Sequence, residues 1–359
     1  MVRRIDESPV LERYEPSSKP GPSEPGLCGE MVGGSAPMRA LYDLIRRIAD
    51  HDALAEHDIT RSAQPPSVLI TGESGTGKEL VARAIHSLGS RAKRPFVVVP
   101  CGAIPENLIE AELFGYEKGA FPHANVAHEG YFEKAGDGTL LLDEIGELGI
   151  NMQPKLLRAL QQREFSRLGS NNLTPLPARI LFATHRNLAQ MVTAGTFRQD
   201  LFYRINVVKV RLPPLRERPK DVALLAGQFL ARYSKMYAKA IESIEPAAMK
   251  LLETHSWPGN VRELENEIQS AIIMAEDTCI RVKDLSEDVR DRDDLDSLES
   301  EFPGSLEDKI REYRVKLVNE AIQECNGNQA LAAQCLSISR AELLRLIHVP
   351  AAVQELRLA

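Results

Sequence analysis

The sequence predicts an α/β protein with a mainly parallel sheet, followed by a helical subdomain and a separate all-α block. Three observations carry this expectation. Between Val68 and about Leu212, short apolar runs alternate with helical segments, as in strands joined by crossover helices. After Pro213-Pro214 the apolar positions take helical spacing only. Residues 284–301 then hold nine acids against two bases, a solvated stretch that sets off a last helical block.

Length and composition agree. The 359 residues suit two or three folded units at roughly 150 residues each. An apolar fraction of 43% with 26% charged residues is enough to bury a substantial core. No apolar run approaches the ~18 residues that a membrane helix needs. The start, MVRRIDESPV, meets acid and Pro before any apolar stretch, which is unlike a signal peptide. Cys28, Cys101, Cys279, Cys325 and Cys335 form no C-x-x-C pair, so the expected setting is a reducing cytoplasm without a disulfide or zinc framework. Net charge is -7, with 51 acidic and 44 basic residues. That excludes a globally basic nucleic-acid binder but not a small DNA-binding module on an acidic body.

In chain order, residues 1–26 contain Pro9, Pro16, Pro20, Pro22 and Pro25 without periodicity and are expected to be a flexible tail. Met38, Leu41, Leu44, Ile45 and Ile48 then mark one face of a helix, and a polar stretch spans 50–67. Strands are expected at 68–71, 96–99, 139–142, 179–183 and 207–211, with helices such as 79–87 and 154–162 between them. Residues 27–212 are thus assigned to the α/β core. Residues 213–283 form a helical subdomain, with helices at 221–237, 246–253 and 260–275. An acidic linker is placed at 284–304 and a DNA-binding module at 305–359.

Gly72-Glu-Ser-Gly-Thr-Gly77-Lys78 fits the phosphate-binding pattern G-x-x-x-x-G-K between a strand and a helix start. Gly72, Gly75 and Gly77 let the backbone of Glu73, Ser74 and Thr76 wrap a phosphate with its N–H groups turned inward, and the helix N-terminus adds its dipole. Lys78 would reach the β- and γ-phosphates. Glu79 stands where Ser or Thr usually helps to hold magnesium. The run Thr139-Leu-Leu-Leu-Asp143-Glu144 is a buried strand ending in two carboxylates. Asp143 is placed to hold Mg2+, and Glu144 to orient and deprotonate water. The competing reading, two solvent-facing acids after a strand, loses weight because both motifs occur in one α/β segment. ATP is the expected ligand.

GESGTGKE, AELFGYEKGAF, GTLLLDEIGEL, FRQDLFYRINVV, LPPLRER and WPGNVRELEN together resemble, in order and spacing, the AAA+ domain of bacterial enhancer-binding proteins, the activators of sigma-54 RNA polymerase. The resemblance runs from about Leu27 to Val282. It implies an AAA+ P-loop ATPase core with a helical lid, assembling into a hexameric ring with ATP between subunits, and it accounts for Glu79. It implies further that Arg198 and Arg204 reach the γ-phosphate of a neighbouring subunit, neutralising charge that develops in phosphoryl transfer. A surface ion pair with Asp200 is the plain alternative. Arg262 matches the lid arginine that senses nucleotide, and His185 falls at the first sensor position, where the family usually has Asn.

Departures fall on the output machinery. The family's sigma-contacting loop, G-A-F-T-G-A, reads Gly119-Ala120-Phe121-Pro122-His123-Ala124 here. Phe121 is kept, Pro122 removes a hydroxyl and an N–H, and His123 adds a side chain to a glycine position. Pro100 stands where the family has an Asn that holds the catalytic glutamate, so Glu144 is expected to lack that restraint. Two functions stay open: an activator of sigma-54 polymerase with a divergent loop, or an AAA+ DNA-binding regulator acting without sigma-54.

The last block, GNQALAAQCLSISRAELLRLI, resembles a Fis-type helix-turn-helix, with Ser339 as N-cap and Arg340 and Arg345 as the obvious cations of the third helix. Equal numbers of acids and bases in 305–359 give it little general attraction for phosphate, so binding to upstream promoter DNA would gain from oligomerisation. A plain dimerisation bundle is the alternative. Nothing before Met31 is long enough for a sensor domain, and control by a second regulatory protein is one expectation.

Overall fold

A computed structural model describes residues 31–57, 65–122 and 124–290, with positions 318, 321, 325, 328–336, 338 and 343 of the C-terminal block. Two compact units result, 1–290 and 291–359.

In the first unit, helix α1 (Ala36–His57) precedes strand β1 (Val68–Thr71), helix α2 (Lys78–Leu88) and strand β2 (Phe96–Pro100). Short helices α3 (Ile109–Phe114) and α4 (Tyr131–Ala135) lead to β3 (Thr139–Asp143), and α5 (Gln153–Gln162) follows. A small hairpin, β4 (Glu164–Phe165) and β5 (Thr174–Pro175), comes before β6 (Arg179–Thr184), α6 (Leu188–Thr193), α7 (Gln199–Ile205) and β7 (Val208–Arg211). The main sheet has the order β2-β3-β6-β1-β7 and every pairing is parallel. Such a sheet is covered on both faces, and β3 shows it: Leu141 joins one core with Val81, Ile85 and Ile45, while Leu140 and Leu142 face the other with Phe132 and Leu156.

The apolar stripe expected on α1 is present, with Met38, Leu41, Ile45 and Ile48 all buried. Each such side chain contributes about 1.5–3 kcal/mol. The helix runs on to His57, beyond the start of the polar stretch.

The lid contains α8 (Lys220–Met236), α9 (Pro246–Thr254) and α10 (Asn260–Met274). Its core closes around Trp257, which is fully buried and donates its indole N–H to the Leu252 carbonyl at 2.8 Å. Two expectations need correction. The lid is not purely helical: β8 (Ser243–Ile244) pairs in parallel with β9 (Cys279–Ile280). Two-residue strands leave no periodic trace in a sequence. Nor does the linker begin at 284, because Leu285 and Val289 are buried in the lid core and the latter lies on α11 (Glu287–Arg290). Acids on the solvent face of that turn hid two apolar anchors.

In the second unit, α12 (Gln329–Cys335) packs through Ala332 and Ala333 against Val318, Ala321 and Leu343. Ser339, Arg340 and Arg345 lie outside the described residues, as do 1–26 and most of the linker.

Candidate nucleotide site

The strand order builds the site. In a parallel sheet, ligand groups gather beyond the strands' carboxyl ends. The P-loop follows β1, Asp143-Glu144 follows β3, and β6 lies between those two strands, so Thr184-His185 emerges between the two motifs.

The P-loop needs its glycines. Gly75 has φ +76, and a Cβ there would lie 2.1 Å from the Gly259 carbonyl oxygen of the lid. Gly77 has φ +99 and precedes the first residue of α2. The Thr76 hydroxyl donates to the Glu73 carbonyl at 2.8 Å, closing the turn. Lys78, only 7% exposed, donates to the carbonyls of Gly72 and Glu73 at 3.2 and 3.3 Å and lies 3.2 Å from Glu144 Oε1. Glu79 pairs with Arg83 one turn along α2. Its charge also reaches Asp143.

Burial, then the charge of Glu144, raises the Asp143 carboxyl above its ordinary range, and Glu79 adds to this. Glu144, the residue after β3, takes a left-handed conformation, φ 52, which a β-carbon disfavours. Burial opposes its ionisation, but hydrogen bonds from His185 and the charge of Lys78 outweigh this and hold the carboxyl below its ordinary value. His185 donates its backbone N–H to Glu144 Oε2 at 3.1 Å, and its ring Nδ1 lies 2.7 Å from the same oxygen.

Glu144 is therefore restrained, though not from position 100. Pro100 pairs in register with Asp143 and offers no side-chain bond, but the end of β6 supplies one instead. From sequence alone His185 was assigned to sensing, with nothing to show that its ring reaches the carboxylate.

The P-loop from Ser74 to Lys78, with Glu79, Asp143 and Glu144, lines one side of a cavity of about 530 Å³, and His185 stands outside it. Val32, Leu225, Phe229 and Val261 form an apolar flank, and Arg262 lines it as well. The flank is fastened from below: fully buried Asp221 accepts from the Gly34 and Ser35 N–H groups and from the Ser35 hydroxyl at 2.7–3.0 Å.

Sequence reasoning missed the contacts between P-loop and lid. Asn260, fully buried at φ +55, donates its amide to Glu73 Oε2 and to the Ser74 carbonyl at 3.1 and 3.0 Å, and accepts from Leu215 N–H at 2.8 Å. Arg216 holds the Glu73 carboxylate with two bonds of 2.8 and 2.6 Å, and this pairing pulls its pKa down to about 2. Both residues stand inside quoted motifs, LPPLRER and WPGNVRELEN, but carry no periodic or chemical mark of their own.

Arg198 and Arg204 do not line this cavity. Arg198 pairs with Asp200 on the surface at 2.7 Å, and Arg204 donates to the Leu160 carbonyl at 2.7 Å. Arg204 lies near Arg163, whose pKa falls to about 10 through burial and the charges of Arg91 and Arg204. In the surface loop, Gly119 N–H donates to the Ala124 carbonyl and Ala124 N–H to the Phe121 carbonyl, at 2.8 and 3.0 Å. Phe121 is 39% exposed with its ring 4.8 Å from that of Tyr116, and Pro122 is exposed. His123 lies outside the described residues.

Residues 31–211 match the family described as "Sigma-54 interaction domain", and residues 216–301 match "AAA+ ATPase lid domain". Among curated proteins, the chain is 47% identical over 281 residues to the regulatory protein AtoC of Escherichia coli K12, covering 77% of this chain and 61% of AtoC. It is 42% identical over 341 residues to the transcriptional regulatory protein ZraR of Klebsiella oxytoca, covering 95% of this chain and 71% of ZraR. The nitrogen fixation protein AnfA of Azotobacter vinelandii is 40% identical over 331 residues, 92% of this chain and 57% of AnfA. Thus the chain spans about three fifths of the length of AtoC and AnfA. Among solved structures, NtrX from Brucella abortus in complex with ATP superposes with a TM-score of 0.63 at 32% identity, covering 89% of this chain and 68% of that one.

Proposed function

The chain belongs to the sigma-54 interaction domain family of AAA+ ATPases, and on that premise we propose that it hydrolyses ATP in a self-assembled, hexameric ring to regulate transcription. One observation carries the catalytic part: Lys78, Asp143 and Glu144 converge on a single cavity between the strands' carboxyl ends and the lid. Lys78 and the P-loop N–H groups bind the phosphates, and the flank of Val32, Leu225 and Phe229 accepts the base. Glu144 takes the proton of the attacking water. Among the described residues no cluster of three His, Cys, Asp or Glu side chains could hold a metal unaided. Mg2+ suits this site, since it commonly takes one or two carboxylates with phosphate and water, and Asp143 would hold it. There Mg2+ would neutralise charge on the phosphates.

Arg198 and Arg204 act on the ATP of a neighbouring copy. Neither lines the cavity of its own chain, as an arginine supplied in trans requires. The C-terminal helices bind upstream promoter DNA, and the exposed Phe121 loop contacts sigma-54 polymerase. A second reading, regulation without sigma-54, is favoured by one observation: Pro122 occupies the loop tip and carries neither hydroxyl nor N–H.

In vitro transcription from a sigma-54 promoter with ATP separates the two. Weak stimulation by the wild type, raised by Pro122→Thr with His123→Gly, supports the activator. Normal ATP hydrolysis with no transcription from either protein supports the second reading. No helix among the described residues is long and apolar enough to cross a membrane.

A further inference from the structure

We infer that His185, fastened by Arg186, is a positioning residue that restrains the Glu144 carboxylate, so that hydrolysis requires the end of β6 to shift. The inference rests on the ATP-hydrolysis reading above. Both oxygens of Glu144 are engaged: Oε1 lies 3.2 Å from Lys78 Nζ, and Oε2 takes the His185 backbone N–H and ring nitrogen at 3.1 and 2.7 Å. A carboxylate held in this way is charged, but each bond it accepts fixes its direction and lowers its basicity, so it is a poorer base until one bond is given up.

The two bonds differ in kind. Lys78 belongs to the phosphate cradle, and a phosphate group competes for its ammonium. His185, unlike Lys78, does not line the nucleotide cavity, so a bound phosphate does not draw it away in the same manner. The left-handed backbone of Glu144 (φ 52) is a conformation that persists only where its surroundings enforce it.

The neighbouring residue makes the restraint a two-point grip. Arg186 Nη1 donates to the Gly146 carbonyl at 3.3 Å, and Nη2 pairs with Glu147 Oε2 at 2.7 Å. Its own backbone N–H is fixed by the Thr184 hydroxyl at 3.1 Å. The fit is close, since a Cβ on Gly146 would stand 3.2 Å from the Arg186 Cβ. The pair 185–186 therefore grips residues 144–147 as a unit. On the other side, Pro100 of β2 lies beside Asp143 and has no donor to offer.

A lever for release is built into the same segment. Asn187 follows directly and caps α6, accepting from Gln190 N–H at 3.3 Å. Helix α6 packs on α7, which begins after Arg198 and carries Arg204. A displacement of α6 and α7, such as a second copy would impose by engaging those arginines, reaches His185 through four residues of chain.

Steady-state ATP hydrolysis of the full chain tests this, comparing wild type with His185→Ala, His185→Asn and Arg186→Ala, with binding of a fluorescent ATP analogue as the check on folding. His185→Ala is expected to raise kcat about tenfold with KM little changed, the equivalent of one charge-assisted hydrogen bond removed from the restrained state. Arg186→Ala should move kcat in the same direction by a smaller factor. His185→Asn, whose amide can reach the same oxygen, should fall back below His185→Ala. A His185→Ala variant that binds the analogue yet hydrolyses more slowly than wild type, or equally fast, would overturn the restraint while leaving the ATPase reading intact. Absence of hydrolysis in all four proteins would overturn both.

Discussion

Removing the Asn260 side chain should loosen the P-loop and the lid together. Three terms set the size of the effect. Its Oδ1 is the partner of the buried Leu215 N–H at 2.8 Å, and a buried donor left without a partner costs about 1–3 kcal/mol. Its amide bonds the Ser74 carbonyl and Glu73 Oε2, and some of that loss is recovered because Glu73 keeps Arg216. Its backbone sits at φ +55, where Ala is worse than Asn by about 1 kcal/mol. Asn260→Ala should therefore destabilise the 1–290 unit by about 3 kcal/mol, or roughly 6–12 °C in Tm. The single tryptophan, Trp257, is buried in the lid core three residues away and reports the transition by fluorescence. Asn260→Asp keeps the acceptor and tolerates the backbone angle, so it should lose less stability. It places a like charge against Glu73, however, and nucleotide affinity should drop. An Asn260→Ala protein within about 0.5 kcal/mol of wild type would contradict this, because it would mean that water satisfies Leu215 N–H and Ser74 C=O unaided.

Further outcomes follow from the same contacts. Gly75→Ala drives a methyl to within 2.1 Å of the Gly259 carbonyl at φ +76, so ATP affinity measured by calorimetry should fall at least tenfold as P-loop and lid separate. Glu73 has its folded pKa pulled down to about 2 by Arg216. The stability gained is full above the ordinary carboxylate pKa near 4.5 and is lost as pH falls towards 2. The urea midpoints of wild type and Arg216→Ala should differ by a constant amount above about pH 5 and converge between pH 4.5 and 2; a gap that widened on acidification would contradict the assignment. Hydrolysis per subunit should rise with protein concentration, and Arg204→Ala should remove it while ATP binding persists.

The motifs of the site were legible where chemistry demands particular residue types. Strand β1 was expected and found at Val68–Thr71, and Asp143 and Glu144 stand at the end of β3 as their position after an apolar run requires. Helix α10 was expected to start at Asn260 and does. Elements below the length of a repeat were not legible: β8 and β9 are two residues each, and α11 is a single turn whose acids conceal Leu285 and Val289. Contacts that depend on three-dimensional order were also hidden. His185 reaches Glu144 because β6 is inserted between β3 and β1, a sheet order that a linear sequence does not state. Asn260 reads as an ordinary helix start, and only the fold brings it against the P-loop 186 residues earlier.

In the proposed ATPase, Glu144 serves as the base of a site formed with Lys78 and Asp143. Steady-state hydrolysis and equilibrium ATP binding, measured side by side for wild type and Glu144→Gln, test it most directly. Glu144→Gln should lose at least about 100-fold in kcat, the usual contribution of a general base, and still bind ATP. Equal turnover in the two proteins, or negligible turnover in both with binding intact, would contradict it.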